Sequence, residues 1–299
     1  VLSIAVTPDS KVLVSGALDG IRLWDLPQQR PLGTLARFDN LIYAVAISPD
    51  GKTLVSGDSK GIVKLWDLQT GKLIRGYQAH QKEVQAIAFT PNGDSVISAS
   101  SDRTVKMWNL NSGQVLHTFT GHNNSVIAIA VNPDGKTLAS GGGSLAKDTD
   151  TNIRIWDLST GKLVKTLTGN SNAVNFLSFS KDGNTLISGG ERHIKLWNLN
   201  TSILQSQFTV SKLGNITSIT ASPSKTNLVI TTLNGGIELW DLQTGKQVNT
   251  LVQPLKNPQN FDRLYPSITA FSPDGKTIAV GYGGAADLSN FSINLRAWK

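Results

Sequence analysis

Residues 83–120 carry a hydrophobic–polar pattern that most of the chain repeats. EVQAIAF (83–89) alternates apolar and polar or small positions, and TPNGDS (90–95) interrupts it. SVISAS (95–100) resumes the alternation, SDRT (101–104) breaks it, and TVKMWNL (104–110) takes it up again. NSGQ (111–114) and VLHTFT (115–120) complete the unit. A period of two with β-branched residues predicts strands, and Pro, Asn, Asp and Gly in the breaks predict tight turns. The unit therefore predicts four short strands, A to D, in an up-and-down order. No segment shows a sustained 3.6-residue period, so no helix is expected.

The unit recurs. Its third strand ends in IRLWDL, VKLWDL, VKMWNL, IRIWDL, IKLWNL, IELWDL and NLRAWK, which use every Trp once: Trp24, Trp66, Trp108, Trp156, Trp197, Trp240 and Trp298. Successive spacings are 42, 42, 48, 41, 43 and 58 residues. A period near 42 fits four strands and is too long for a hairpin. On these residues the chain resembles the WD-repeat family along essentially its whole length. The resemblance implies an all-β fold: a seven-bladed β-propeller of four-stranded antiparallel blades, forming a single domain over 1–299.

The residues suit such an arrangement. Strand A would lie innermost, where space is scarce. The column before its turn reads Ala5, Ala46, Ala88, Ala130, Ser178, Thr220 and Ala270, all small. The Trp would fill the wider gap further out. Burying one indole removes about 150–250 Å² from water, worth about 4–6 kcal/mol as an upper bound.

The resemblance also implies a hydrogen-bonded relay from Trp to a strand B Ser or Thr, a D–A loop His and a B–C turn Asp. Repeat three has His80, Ser98, Asp102 and Trp108. Repeat four has His122, Ser140, Asp150 and Trp156, with an insertion blurring the Asp register. Other repeats depart, with Lys60, Glu191 and Asn234 at the Asp place and Asn170 at a His place. Packing is expected to dominate there. His, Ser and Asp are also the residues of a nucleophilic triad, but recurrence at the repeat period beside a Trp favours a structural role. Asp50, Asp134, Asp182 and Asp274 sit one per repeat in turns, where Asp and Gly suit the geometry better than paired acid catalysis. No catalytic residue and no cofactor is expected.

Asp148, Asp150 and Asn152 have the D-x-D-x-N spacing of a calcium loop, but Ile153 and Ser159 stand where that loop needs Gly and a bidentate Glu. SGGGSLAK (140–147) shares only glycine content with a phosphate-binding loop.

Composition adds limits. No apolar run approaches 18 residues, and cysteine is absent, excluding disulfides and thiolate metal sites. The net charge is +7. Much of it comes from the place two before each Trp: Arg22, Lys64, Lys106, Arg154, Lys195 and Arg296, with Glu238 the exception. Spread one per repeat, these cations are expected to lay their stems between sheets, and they make no basic stripe for nucleic acid.

Insertions fall on 141–152, 253–267 and 281–292, which are B–C or D–A connections and so share one end of the sheets. Insertions on one face of a repeat array mark a binding surface. Arg37, Phe38, Lys147, Lys256, Phe261, Arg263 and Tyr265 are the expected contacts, with Phe261, Arg263 and Tyr265 of hot-spot type. The same aromatics would equally serve to cover the fold's own closure. The expected partner is a protein or peptide, held by a monomeric, non-catalytic platform. A rival is a small-molecule, metal or enzymatic site in a central channel, for which strand A offers mainly Ala, Ile, Val and Ser. Close similarity between repeats resembles bacterial WD-repeat proteins, implying a sensor or scaffold module of a larger signalling protein such as a kinase, protease or nucleoside-triphosphatase. Val1 opens within a strand pattern and the chain ends on strand C. The last repeat's strand D is therefore expected to be absent or to lie upstream.

Overall fold

The computed structural model describes residues 1–37, 40–143, 150–170, 172–210, 215–253, 265–283 and 293–297. Among these, every regular element is a strand. The first sheet contains β1–β4 (Ser3–Val6, Val12–Ala17, Gly20–Asp25, Arg30–Arg37). The second contains β5–β8 (Ile42–Ile47, Thr53–Asp58, Ile62–Asp67, Leu73–Gln78). The third contains β9–β12 (Val84–Phe89, Ser95–Ser100, Val105–Asn109, Val115–Phe119). The fourth contains β13–β16 (Val126–Val131, Thr137–Gly142, Ile153–Asp157, Leu163–Leu167). The fifth contains β17–β20 (Phe176–Phe179, Thr185–Gly190, His193–Asn198, Ile203–Thr209). The sixth contains β21–β24 (Ile216–Ala221, Asn227–Thr232, Ile237–Asp241, Lys246–Val252). The seventh has three strands among the described residues, β25–β27 (Tyr265–Phe271, Thr277–Gly283, Ile293–Ala297). Six sheets are thus four-stranded antiparallel blades of the propeller class, with strands in chain order from A to D.

The chain forms two compact units, Val1–Ile42 with Phe208–Lys299, and Tyr43–Gln207. Within the second, the A strands β9, β13 and β17 lie side by side. Small residues in these strands, among them Ala88 and Ala130, suit this approach. Each B strand is buried along nearly its whole length, as β10 shows, whereas the D strands are largely exposed. Within this unit three Trp pack on the preceding sheet. Trp108 joins Val55, Val63 and Leu65; Trp156 joins Ile97, Val105 and Phe119; Trp197 joins Ile153, Ile155 and Leu167. Aromatic D-strand residues complete two of these contacts, with Tyr77 stacked on Trp108 at 5.1 Å and Phe119 tilted on Trp156 at 5.4 Å. In the first unit Phe208 stacks on Trp240 at 5.7 Å. Trp24 is only half-buried, and Trp298 lies outside the described residues.

The C–D ladder shifts register immediately before the Trp in sheets one to four and six, for example between Met107 and Trp108. A bulge there twists the strand and re-aims the side chain that follows. The turn aspartates serve their own turns. Ser48 Oγ donates to Asp50 Oδ1 at 2.5 Å, and the Lys52 N–H donates to the same oxygen at 3.0 Å. Ser180–Asp182 and Ser272–Asp274 repeat the pattern. Glycine is required at position 61, before β7. Its φ is +78°, and a Cβ there would sit 2.2 Å from the carbonyl oxygen of His80.

Candidate functional site

The polar residues implied by the family resemblance meet in two tetrads. In the third sheet, the Trp108 indole N–H donates to Ser98 Oγ at 3.0 Å. An indole is only a donor, so the Ser98 hydroxyl proton is free to point at His80 Nε2, 2.8 Å away. His80 Nδ1 then carries the proton and donates to Asp102 Oδ2 at 2.9 Å. Asp102 also accepts from the Gln81 N–H, the Thr104 N–H and the Thr104 hydroxyl. Burial raises the Asp102 pKa, but the bonds from His80 and Thr104 outweigh it and hold the carboxyl well below its usual range. His80 is 1% exposed and Ser98 fully buried, so each group is satisfied inside the fold.

The fourth sheet repeats the chain of bonds. Trp156 Nε1 donates to Ser140 Oγ at 2.7 Å; Ser140 lies 2.8 Å from His122 Nε2; His122 Nδ1 lies 3.0 Å from Asp150 Oδ2. Here a guanidinium joins. Arg154 Nη1 donates to Asp150 Oδ2 at 2.6 Å and lies 2.8 Å from His122 Nδ1. Burial, and then the Arg154 charge, lower the His122 pKa to about 4 despite the opposing Asp150 carboxylate. Burial pushes the Asp150 carboxyl up, while the Asn123 N–H and Arg154 bring it below its ordinary value.

These tetrads are saturated. A serine that accepts from an indole and donates to an imidazole holds sheets together, and both hydroxyls are removed from solvent. Asp150 is 6% exposed, with Oδ2 shared by His122, Asn123 and Arg154 and Oδ1 accepting from the Asn152 N–H at 3.3 Å. Of the calcium-loop spacing, Asp148 lies outside the described residues. Among the described residues no group of three or more His, Asp or Glu is placed to hold a metal ion.

Other sheets keep the Trp–Ser bond with different surroundings. Trp24, Trp66 and Trp197 donate to Ser15, Ser56 and Ser188 at 2.9, 3.0 and 2.8 Å. In the sixth sheet Ile230 stands opposite Glu238, and the Trp240 N–H turns to the Glu238 carboxylate at 2.9 Å. In the fifth, Asn172 donates to Glu191 at 2.5 Å, while Asn170, at the His place, donates to the Thr151 carbonyl.

For three of the cations two before the Trp, Lys106, Arg154 and Lys195, the head as well as the stem is drawn inward, whereas Arg22 pairs with Asp19 in an exposed position. Lys195 is 7% and Arg154 9% exposed. Lys106 Nζ donates to the Ala79 carbonyl at 2.7 Å and lies 5.7 Å from the Trp108 ring centroid, and Lys195 Nζ donates to the Gly169 carbonyl. The D strand ends at these carbonyls, which have lost their ladder partners, and a cation satisfies them. The column of charge at fixed distance from Trp was the available signal. Thr104, which bonds Asp102 and lies 3.2 Å from His80, went unnoticed because a β-branched residue opening a strand is unremarkable in sequence.

Of the expected partner contacts, Arg37 ends β4, is exposed and pairs in register with Gly20. Tyr265 opens β25 opposite Gly283. Phe38, Lys147, Lys256, Phe261 and Arg263 lie outside the described residues. Among the described residues no helix is long and apolar enough to cross a membrane.

Comparison with known families agrees with this geometry. The family model described as WD domain, G-beta repeat matches residues 71–109, 113–157 and 161–198, segments that each end at or just after a Trp of the series. A second, the WD40 domain of anaphase-promoting complex subunit 4, matches residues 1–89. No curated protein matches the chain significantly. Matched repeats that coincide with the two tetrads, on blades ordered A to D, identify the chain as a member of the WD-repeat family.

Proposed function

We propose that the chain is a seven-bladed, non-catalytic scaffold that holds a protein or peptide on the end of its sheets bearing the B–C and D–A loops. WD-repeat propellers generally mediate protein–protein interaction, and they are typically non-catalytic. The observation that carries the reading for this chain is the saturation of both tetrads. The histidines and serines most able to do chemistry are committed to each other and to Trp108 and Trp156. Recognition then falls to the segments that break the repeat. Arg37, Phe38, Lys147 and Lys256 supply charge and one ring, and Phe261, Arg263 and Tyr265 supply the anchor. The domain serves as the sensor or scaffold arm of a larger signalling protein.

The test places a photo-crosslinking amino acid at position 37, 147 or 261, and at position 52 or 70 on the opposite turns. Partner cross-links confined to the first group support the reading. Cross-links confined to the second, or a partner that still binds when Arg263 and Tyr265 are both alanine, overturn it.

A further inference from the structure

A cleft of about 600 Å³ opens between the third and fourth sheets, at the end bearing the A–B and C–D turns. This end is opposite the one carrying the insertions. Pro91, Met107 and Leu158 give the cleft apolar walls, and Asp134 and Asp157 stand among its lining residues. The volume suits one long side chain or small ligand.

The two aspartates have one oxygen each committed to the fold. Asp134 Oδ1 accepts from the Lys136 N–H at 2.8 Å. Asp157 Oδ1 accepts from the N–H and hydroxyl groups of Ser159 and Thr160. Among the described residues, no hydrogen bond engages either Oδ2, and Lys136 forms no ion pair with either carboxylate. The fold thus holds two carboxylates rigidly by one oxygen and leaves the other for a guest. The third sheet has Asn92 and Asn109 at the same two places, whereas the second has Asp50 and Asp67, so the pair varies from sheet to sheet and the fourth sheet joins it to the apolar wall at Met107. A related cleft between the sixth and seventh sheets is about 240 Å³ and has a single carboxylate, Asp274, in its lining.

We infer that this cleft binds a basic side chain of a protein partner, with the aliphatic stem on Met107, Pro91 and Leu158 and the cation between Asp134 and Asp157. A planar guanidinium can engage two carboxylates at once, so arginine fits better than lysine. The site would make the scaffold two-sided, with one surface at each end of the sheets.

Met107 is the only methionine in the chain. Methyl-labelled methionine therefore places a single internal NMR probe in the cleft wall, assigned by a Met107→Leu variant. The full 299-residue chain is titrated with Nα-acetyl-arginine N-methylamide and, separately, with its neutral isostere, the citrulline derivative. Arginine is expected to move the Met107 resonance saturably, at least fivefold more tightly than citrulline. Asp134→Asn with Asp157→Asn should weaken binding at least fivefold. Asn occupies both places in the third sheet, where Asn109 Oδ1 accepts the Ser112 N–H and hydroxyl just as Asp157 does for its turn, so the fold tolerates the change. Lys136→Glu, which leaves both carboxylates, should tighten binding at least twofold and carries the test if the double variant misfolds. A resonance unmoved at 50 mM arginine derivative, equal response to citrulline, or binding indifferent to the charge variants would overturn the inference.

Discussion

Replacing Ser140 by alanine removes one oxygen and orphans two buried groups. The Trp156 N–H loses its acceptor at 2.7 Å and His122 Nε2 loses its donor at 2.8 Å. Neither can turn to water, since Trp156 is 3% and His122 6% exposed. Each unsatisfied buried group costs about 1–3 kcal/mol, so Ser140→Ala should cost about 2–6 kcal/mol. That is a large share of the roughly 5–15 kcal/mol available to a folded domain. Ser98→Ala should match it, because Ser98 joins the same kinds of partner. Ser188 is the control: 1% exposed, it receives only the Trp197 N–H among the described residues, so Ser188→Ala should cost about 1–3 kcal/mol. Urea unfolding followed by Trp fluorescence gives the three losses. Hydrogen exchange over residues 137–157 tests whether the fourth sheet loosens first in Ser140→Ala. A Ser140→Ala loss below about 0.5 kcal/mol, or a Ser188→Ala loss as large as the other two, would refute the hub argument.

Three further perturbations follow from named contacts. Gly61→Ala should cost at least about 2 kcal/mol in the same urea assay, from the left-handed backbone and the 2.2 Å approach to the His80 carbonyl, whereas Gly33→Ala meets nothing within 4 Å and should cost only its positive-φ strain. His122 has its pKa lowered from 6.5 to about 4 in the fold, so between those values the unfolded chain binds a proton that the folded chain refuses. Its contribution is whole above pH 6.5 and drains away as pH falls to about 4, by up to about 3 kcal/mol; His122→Asn should flatten that part of the Tm–pH curve. Glu238→Gln keeps an acceptor for the Trp240 N–H and should change Tm little, while Glu238→Ala leaves it bare and should cost about 1–3 kcal/mol by thermal or urea unfolding.

Much of this was legible in the sequence because a repeat averages out local ambiguity. In the third repeat the strand boundaries lie within a residue of the hydrophobic pattern, β10 at 95–100 coinciding with SVISAS. The tetrads were legible through the family resemblance, which implied the relay of Asp102 and, with the register blurred by an insertion, that of Asp150. What was not legible depends on reach. Whether the head of Arg154 or Lys195 lies in solvent or between sheets is set by where the neighbouring D strand ends, and no single repeat contains that information. The same limit hid the exchange in the sixth sheet. There Ile230 removes the serine acceptor, and Glu238, two residues before Trp240 on the same strand, reaches back to replace it. In the fifth repeat Asn172 donates to the turn acid Glu191, while Asn170 turns to the Thr151 carbonyl.

A site built from repeated residues faces a difficulty of its own, since other copies offer the same residues. Asp50, Asp134, Asp182 and Asp274 all occupy the same turn, and Asp67, Asp157 and Asp241 all follow a Trp. Selectivity has to arise where neighbouring copies differ. In the Tyr43–Gln207 unit, the third sheet presents Asn92 and Asn109 and the fourth presents Asp134 and Asp157, so two adjoining copies of one turn pair differ by two charges. That difference can be moved. Asn92→Asp with Asn109→Asp gives the third sheet the fourth sheet's pair on turns already shaped for it. If charge in a common frame decides recognition, this variant should bind one more arginine than the parent chain, read as a rise in stoichiometry by calorimetry. Unchanged stoichiometry would show instead that the apolar wall at Met107, and not the carboxylate pair, selects the guest.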